Sequence, residues 1–197
     1  MKNIFTHEHS VTRQEREHRN RHKGVTVWLT GLSGSGKSTI ADALEQKLFK
    51  RGHATLILDG DNIRSGLNSD LGFSKSDRAE NIRRISEVAK LLTENGMIAI
   101  TAFISPFRAE REKARRLIGK RDFIEVFLDC DLKTCAKRDP KGLYRKASKG
   151  RIKGFTGIAS PYEAPKHPEI TIDTKAMSIE NSANFILRYL SKKGYLK

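Results

Sequence analysis

The nine residues from Gly31 to Thr39 constrain the fold of this chain more than any other stretch. They read GLSGSGKST and contain the spacing G-x-x-x-x-G-K-[ST]. The apolar residues 25–30 precede them, and a helical pattern over residues 39–51 follows. Between a strand and a helix, such glycines let backbone N–H groups converge on phosphate oxygens at the positive end of the helix. The stretch predicts a binding site for a nucleoside triphosphate.

Every residue of this loop is a candidate for contact with the nucleotide. The Lys37 ammonium is expected to reach the β- and γ-phosphates, and the Ser38 hydroxyl is expected to bind the Mg²⁺ that accompanies ATP. A chance glycine turn is the alternative, and the flanking strand and helix patterns disfavour it. The candidate nucleotide-binding residues of the loop are Gly31, Leu32, Ser33, Gly34, Ser35, Gly36, Lys37, Ser38 and Thr39.

Apolar runs alternate with helical patterns along the rest of the chain. The predicted strands are residues 25–30, 54–58, 97–103, 123–128 and 170–173, and the predicted helices are residues 39–51, 76–95, 107–118, 132–139 and 178–192. Strands that alternate with helices form a parallel sheet with helices on both faces. The predicted fold class is therefore α/β, the three-layer P-loop nucleotide-kinase fold with a five-stranded parallel sheet.

Periodicity and end signals also predict local details of these elements. The apolar face of helix 39–51 includes Phe49, and the run 54–58 has the composition of a buried strand. Helix 76–95 is predicted to begin at a cap formed by Ser76 or Asp77. The two cysteines, at positions 130 and 135, are predicted to be reduced thiols that act as small apolar fillers near a strand end.

The charge of the chain calls for an anionic partner. Lys and Arg total 38 against 23 Asp and Glu, so the formal net charge is +15. Nucleic acid and small polyphosphorylated substrates both match this charge. No apolar run approaches the roughly 20 residues that span a bilayer, and the N-terminus lacks the apolar segment of a signal peptide. We therefore expect a single-domain cytoplasmic protein with no membrane partner.

Residues 1–24 are predicted to form an N-terminal arm, and residues 25–197 a P-loop kinase domain. Arginine and glutamate are interspersed in the arm, which suits a short exposed helix. The histidines of the arm lack the spacing of metal ligands and are predicted to be solvated. They are His7, His9, His18 and His22.

Acidic residues follow the second predicted strand, in the sequence Asp59-Gly60-Asp61. In a sheet of this kind the ligand lies outside the carboxyl ends of the strands, where these residues fall. A carboxylate there could hold Mg²⁺ or accept a proton from an attacking hydroxyl. An ordinary strand-end turn is the alternative. The interpretation favours function for Asp61, and less so for Asp59.

Basic residues fall in two regions beyond this edge. Arginines 64, 78, 83 and 84 lie on the segment expected to cover an acceptor, and their guanidinium groups suit phosphate or sulfate. A solvated helix face is the alternative for Arg83 and Arg84. The proline-bounded stretch 138–153 is rich in lysine and arginine, which predicts a basic lid at about residues 138–160. An RNA-binding tail would need more exposed aromatic residues than this stretch contains.

Taken together, five stretches resemble the adenylylsulfate kinase family, and the resemblance runs from about Val11 to the last helix. They are LTGLSGSGKSTIA at 29–41, LDGDNIRSGLNSDLGFSKSDRAENIRR at 58–84, FISPFRAER at 103–111, DPKGLYRKA at 139–147 and FTGIASPYEAP at 155–165. The family's last motif has aspartate where this chain has Ala159. The resemblance implies transfer of the γ-phosphoryl of ATP to the 3′-hydroxyl of adenosine 5′-phosphosulfate, and a homodimer without a nucleic-acid partner.

The resemblance also implies roles for individual residues. The implied catalytic residues are Lys37, Asp61, Ser105 and Lys141, with Mg²⁺ held by Ser38 and Asp61. Arg138 borders ATP, and the adenine of the acceptor lies between Phe73 and Phe155. The implied acceptor-binding residues are Asp61, Arg64, Phe73, Arg78, Asn81, Ile104, Ser105, Lys141, Gly142, Leu143, Phe155 and Thr156.

Two questions stay open at the level of the sequence. Family descriptions assign Ser105 as a phosphorylated intermediate, but positioning and electrostatics suffice for in-line transfer, so a hydrogen-bonding wall is the alternative. The competing functions are a kinase for another small hydroxyl-bearing metabolite and a nucleotide-dependent module that binds nucleic acid. No N-K-x-D guanine signature is present, which disfavours a GTPase.

Overall fold

Five parallel strands form one sheet in the order β2-β3-β1-β4-β5 in the computed structural model, which describes residues 5, 7, 9–152 and 154–196. The strands are β1 (Val25–Thr30), β2 (Thr55–Asp59), β3 (Ile98–Ala102), β4 (Phe123–Asp129) and β5 (Ile170–Asp173). The helices are α1 (Arg13–Asn20), α2 (Lys37–Phe49), α3 (Gly60–Arg64), α4 (Lys75–Glu94), α5 (Arg108–Ile118), α6 (Leu132–Arg138), α7 (Leu143–Ser148) and α8 (Ile179–Lys192). The five predicted strands and the parallel sheet are confirmed.

Two apolar layers cover the two faces of the sheet. On one face the odd-numbered residues of β1, such as Val27, pack with apolar residues of α2 and α8. On the other face Trp28 packs with residues of α4 and α5. Successive side chains of a strand point to opposite faces, so the central strand β1 contributes to both cores and all six of its residues are buried. The α/β arrangement of three layers is therefore confirmed.

Three local predictions were wrong. Strand β2 lies at the edge of the sheet, so Leu58 is its only buried residue and the strand is not buried along its length. The Phe49 side chain is 73% exposed because it lies on the solvent side of α2. Helix α4 begins after Ser74, whose hydroxyl accepts from the N–H of Asp77 while the Asp77 carboxylate accepts from the N–H of Ser74. That reciprocal pair satisfies two N–H groups at the helix start, which a cap at Ser76 or Asp77 would not.

The N-terminal arm contains α1, which contacts the sheet domain at both of its ends. Arg13 donates to the Asp122 carboxylate, and the Asn20 amide donates to the carbonyl oxygen of Gly96. The prediction that His22 is solvated was wrong, because its ring is buried and accepts from the N–H of Ala54 at 3.0 Å. Residues 1–4, 6 and 8 of the arm lie outside the described residues, and the boundary of the arm at residue 24 stays a prediction. Within the described ranges, no helix is both long and apolar enough to cross a membrane.

Candidate active site

The phosphate loop, residues 31–38, connects β1 to α2 at the carboxyl edge of the sheet. Gly34 and Gly36 have φ values of 75° and 99°, a left-handed conformation that residues with a side chain avoid. A Cβ atom at Gly34 would also lie 2.9 Å from the carbonyl oxygen of Cys135. Glycine at this position therefore serves both the turn and the close approach of α6. The loop ends at the positive end of the 13-residue helix α2, as an anion site requires.

Lys37 is held inside this loop. Its ammonium donates to the carbonyl oxygens of Gly31 at 2.9 Å and Leu32 at 2.8 Å, and its side chain is buried. Burial lowers the pKa of Lys37 to about 8. The hydroxyl of Ser35 in the same loop is buried and has no hydrogen-bond partner among the described residues. The loop thus contains a desolvated cation and an unsatisfied hydroxyl, both of which an anion would stabilise.

Asp59, at the end of β2, lies beside Ser38 at the start of α2. The Ser38 hydroxyl donates to one carboxylate oxygen of Asp59 at 2.6 Å, and the other oxygen accepts from the N–H of Asp61 at 3.0 Å. The second contact caps α3 and turns the chain away from the strand. The sequence favours Asp61 over Asp59 as a functional residue, but in the structure Asp59 is the one that contacts the Ser38 hydroxyl.

Asp61 instead forms an ion pair with Lys141 of the lid, residues 138–160. The lid approaches the phosphate loop at a second point, where the Tyr144 hydroxyl donates to the carbonyl oxygen of Ser33 at 2.8 Å. Gly142 has φ 64° and precedes helix α7. The two contacts bring a predicted catalytic cation and a predicted catalytic carboxylate together over the loop. Lys153, one of the basic residues of the predicted lid, lies outside the described residues.

Arg138, at the start of the lid, lies against the phosphate loop. Its guanidinium donates to the Thr174 carbonyl oxygen at 2.6 Å and to the Gly34 carbonyl oxygen at 3.5 Å. Leu143 is partly buried in a small apolar cluster under the lid. Phe155 is buried in the same cluster, where its ring is nearly perpendicular to that of Tyr144 and the two ring centroids are 5.0 Å apart. The two cysteines complete the cluster as free buried thiols, and burial raises the pKa of Cys135 to about 12.

Arg78 joins α4 to the lid. Its guanidinium donates to the Thr156 hydroxyl at 2.9 Å, to the carbonyl oxygen of Gly154, and to the carbonyl oxygen of Phe73 at 3.0 Å. The Phe73 ring is 69% exposed, and the Arg64 guanidinium lies over it at 4.5 Å. These residues form one cluster, so the structure does bring the predicted acceptor-binding arginines together with Phe73 and Thr156. Phe155 points away from it, into the cluster below the lid.

Other polar residues of α4 are paired within the protein. The buried amide oxygen of Asn81 accepts from the Asn68 amide at 3.0 Å. Arg83 and Arg84 both donate to the Glu80 carboxylate. Arg84 also makes two bonds to Asp70. For Arg83 and Arg84 the surface ion pairs agree with the alternative of a solvated helix face.

Ser105 follows β3 in a left-handed conformation, with φ 38°, which is rare for a serine. Its side chain is buried, and its hydroxyl accepts from the Trp28 indole N–H at 3.2 Å and donates to the Thr30 hydroxyl at 3.0 Å. The Thr30 hydroxyl in turn donates to the Ile104 carbonyl oxygen at 2.8 Å. The hydroxyl of Tyr162 lies 3.0 Å from that of Thr30. A hydrogen-bonded network therefore surrounds Ser105.

The sequence did not predict Asp59 as a partner of Ser38, nor four members of the Ser105 network. They are Trp28, Thr30, Arg111 and Tyr162. Arg111 carried a signal, because it shares the buried face of α5 with Ala114 and Ile118 at the spacing of a helix. An arginine on an apolar face needs partners from elsewhere in the fold. No comparable sequence pattern indicates that Asp59, at the end of β2, would contact Ser38.

Comparison with known proteins identifies the family. The model of the family described as Adenylylsulphate kinase matches residues 23–173. The chain belongs to this family. The adenylyl-sulfate kinase of Staphylococcus epidermidis is 54% identical over 193 residues, which are 98% of this chain and 97% of that protein. The adenylyl-sulfate kinase of Clostridium acetobutylicum is 56% identical over 190 residues, or 96% and 94% of the two chains.

Solved structures agree with the assignment to the adenylylsulphate kinase family. The Mycobacterium tuberculosis APS kinase, solved in complex with AMPPNP and APS, is 49% identical with a TM-score of 0.83, covering 86% of this chain and 99% of that one. A gluconokinase from Sinorhizobium meliloti is 18% identical with a TM-score of 0.57, covering 88% and 95% of the two chains, and it shares the fold alone. The predicted fold class and the predicted family are therefore confirmed.

Proposed function

We propose that this chain transfers the γ-phosphoryl group of ATP to the 3′-hydroxyl of adenosine 5′-phosphosulfate, giving ADP and 3′-phosphoadenosine 5′-phosphosulfate. The observation that carries the proposal is the contact between Lys141 of the lid and Asp61 at the end of β2, above the phosphate loop. It joins a cation suited to transferring phosphate and a carboxylate suited to an acceptor hydroxyl. The names of the relatives supply the substrates.

The donor half of the reaction uses the phosphate loop and Arg138. Lys37 leaves the carbonyl oxygens of Gly31 and Leu32 for phosphate oxygens of ATP, because a negatively charged oxygen attracts the ammonium more strongly than a neutral carbonyl oxygen does. The Ser35 hydroxyl gains its missing partner in the same step. Arg138 borders the nucleotide from the side of the lid.

The residues at the loop fit a magnesium ion. The Ser38 hydroxyl and the Asp59 carboxylate are hard oxygen donors held 2.6 Å apart, at the start of α2. When bound with ATP, Mg²⁺ would supply positive charge to the β- and γ-phosphate oxygens. We therefore assign Ser38 and Asp59 as the residues that hold the ion. Asp61, expected from the resemblance to share this role, is left for the acceptor.

The acceptor half uses α4, the loop after β3 and the lid. Asp61 accepts the proton of the 3′-hydroxyl, and Lys141 moves from Asp61 to the phosphoryl group that is being transferred. Arg64, Arg78 and Asn81 bind the phosphosulfate and ribose, which requires them to exchange their present protein partners for the substrate. Phe73 stacks on the adenine, and Phe155 reaches its other face once it turns away from Tyr144. The walls of the pocket are Ile104, Gly142, Leu143 and Thr156.

Ser105 acts in this proposal as a hydrogen-bonding wall. Its buried hydroxyl already interacts with Trp28 and Thr30, so phosphorylation would have to break both contacts and place a dianion in a buried position. Direct transfer between two bound substrates avoids that cost.

Initial rates of ADP release test the proposal directly. Purified protein is assayed with MgATP and either adenosine 5′-phosphosulfate, AMP or gluconate, and the product is identified by anion-exchange chromatography. We expect release of ADP with adenosine 5′-phosphosulfate and a product that carries one additional phosphate. Turnover with AMP or gluconate, with adenosine 5′-phosphosulfate inert, would sink the proposal in favour of another small-molecule kinase.

The same proposal includes a homodimer in the cytoplasm. The free buried thiols of Cys130 and Cys135 suit a reducing compartment. Static light scattering behind a sizing column tests the dimer, for which we expect about twice the chain mass of 22.2 kDa. A mass of a single chain would contradict it.

A further inference from the structure

Arg111 is a buried arginine whose guanidinium joins three separate segments of the chain. Its side chain is 3% exposed. It donates to the Glu125 carboxylate of β4 at 2.7 Å, to the carbonyl oxygen of Ser105 at 2.6 Å, and to the carbonyl oxygen of Glu163 at 2.7 Å. A planar guanidinium presents its donors on three separate nitrogen atoms in a fixed fork, whereas an ammonium carries all of its donors on one atom.

The first of these segments carries backbone strain. Ser105 has φ 38°, a conformation that persists in a residue with a side chain only when surrounding contacts hold it. The hydroxyl of Ser105 is held by Trp28 and Thr30, and its carbonyl oxygen is held by Arg111. The Thr30 hydroxyl also approaches that carbonyl oxygen, at 3.5 Å, so Arg111 contributes the shorter of the two contacts that orient the peptide group after Ser105.

The second segment is the return segment, residues 161–164, which leads away from the lid. It is bound to the loop after β3 by the N–H of Glu163, which donates to the Pro106 carbonyl oxygen at 2.8 Å. Arg108 strengthens the junction, because its N–H donates to the Glu163 carboxylate at 2.9 Å and its side chain to the Ala164 carbonyl oxygen at 2.8 Å. Arg111 contacts both segments of this junction, because it donates to the carbonyl oxygens of Ser105 and Glu163.

We propose that Arg111 is a positioning residue that keeps the lid in register with the acceptor pocket. The inference rests on the proposed function, since it assigns Arg111 to the acceptor side of that reaction. The return segment is the C-terminal anchor of the lid, and the lid contacts Arg78 through Thr156 a few residues earlier. If the return segment shifted relative to Ser105, the lid would also shift relative to the acceptor pocket. A displacement of about 1 Å can cost on the order of 10²-fold in rate.

A purely electrostatic role for Arg111 is disfavoured by a second cation at the same carboxylate. Arg115 lies one helical turn further along α5 and approaches Glu125 at 3.3 Å and Glu169 at 2.6 Å. In the described part of the chain, the hydrogen bonds of Arg115 go to Phe123, Glu125 and Glu169, none of which belongs to the two joined loops. Arg115 is therefore a matched control, because it shares the helix and the carboxylate but not the junction.

The kinetic test compares Arg111→Gln and Arg111→Lys with Arg115→Gln. For both Arg111 variants we expect kcat/KM for adenosine 5′-phosphosulfate to fall by about tenfold to 10²-fold, with KM for ATP changed by less than about twofold. Arg111→Lys keeps a cation beside Glu125 and so protects the fold, but it cannot span both carbonyl oxygens. Arg115→Gln should lose stability while its kinetic constants per folded molecule stay within about threefold of the parent.

Amide hydrogen exchange supplies a readout that does not depend on activity. Peptides that cover residues 103–109 and 160–166 should exchange faster in both Arg111 variants and at the parental rate in Arg115→Gln. Equal kinetic losses in Arg111→Lys and Arg115→Gln at matched melting temperature would overturn the inference, as would unchanged exchange in the two peptides. Unfolding of both Arg111 variants would assign the residue to fold stability instead. An inactive parent would contradict the proposed function alone, because the exchange result would still decide the junction.

Discussion

In the phosphate loop the reactive cation is bound by neighbours in the sequence, whereas on the acceptor side the contacts join distant parts of the chain. Lys37 bonds to carbonyl groups five and six residues before it. Lys141 reaches Asp61 across 80 residues, and Arg78 reaches Thr156 across 78. The donor half can thus be built by local sequence, and the acceptor half depends on the packing of the lid.

The two regions also differ in how they meet a substrate. Lys37 is buried with neutral carbonyl partners from its own loop, so the negative charge of a phosphate would stabilise its ammonium and only contacts within the loop would have to change. Asp61, Arg64 and Arg78 already have charged or hydrogen-bonding partners, which the acceptor displaces in the proposed reaction. The Asp61–Lys141 ion pair is exposed and contributes little stability, so its exchange costs little free energy. We therefore expect a rigid donor site and an acceptor site that rearranges.

Removal of the buried cation should have the largest effect. In Lys37→Ala we expect turnover with MgATP and adenosine 5′-phosphosulfate to fall by about 10³-fold or more, because the charge that stabilises the transferring phosphoryl group is lost. Coupled ADP release measures the rate, and thermal melting followed by circular dichroism measures the fold. The control is Lys47→Ala, which removes a surface lysine of the same helix that pairs with Glu180. Retained turnover in Lys37→Ala would show that the loop cation is not catalytic.

A methyl group in the phosphate loop should have the next largest effect. Gly34→Ala places a Cβ 2.9 Å from the Cys135 carbonyl oxygen, so the loop must shift and the affinity for ATP should fall by about 10²-fold. Gly52→Ala is the matched control, since its φ of 78° is nearly the same but no atom lies within 4 Å of its Cβ. That variant should lose only about 1 kcal/mol of unfolding free energy. Titration calorimetry with an ATP analogue distinguishes them, and parental affinity in Gly34→Ala would refute a rigid donor site.

Loss of an acceptor arginine should have a more selective effect. In Arg78→Ala we expect KM for adenosine 5′-phosphosulfate to rise by about tenfold to 30-fold, while KM for ATP changes by less than about twofold, because a charged hydrogen bond to the acceptor is removed. Steady-state kinetics with each substrate varied in turn measure both constants. Arg83→Ala, on the exposed part of the same helix, should leave both unchanged. Equal rises in KM for ATP and for adenosine 5′-phosphosulfate in Arg78→Ala would contradict the separation into a donor half and an acceptor half.

Proton uptake on nucleotide binding should give the smallest signal. Burial lowers the pKa of Lys37 to about 8, and a bound phosphate raises it again, so free protein is partly deprotonated above pH 8 and the complex is protonated. At pH 8.5 the binding of an ATP analogue should therefore take up about three-quarters of a proton, and at pH 6.5 almost none from this group. Calorimetry in buffers of different ionisation enthalpy measures the uptake. Lys37→Arg should abolish it, and proton release at pH 8.5 would contradict the sign.

The features that the sequence predicted correctly depend on local patterns. The phosphate loop follows from glycine and lysine spacing, and the five strands follow from apolar runs, because both are encoded within a few residues. Apart from the position of the cap of α4, the predictions that failed concern exposure. Strand β2 has the composition of a buried strand but is exposed because it lies at the edge of the sheet, and Phe49 is exposed because it lies on the solvent side of α2.

The sequence by itself determined the donor loop, the α/β order of elements and the family, since each is written in contiguous residues. Only the tertiary structure decided that Asp59 contacts Ser38 while Asp61 contacts Lys141. The two aspartates are two positions apart in one turn, and the sequence does not show which of them faces the phosphate loop. The tertiary structure also placed Phe155 in the apolar cluster with Tyr144 and buried His22 beside the start of β2. It also brought Arg111 to Ser105 and Glu163. A side chain that joins segments far apart along the chain takes its partners from packing, and no local pattern specifies them.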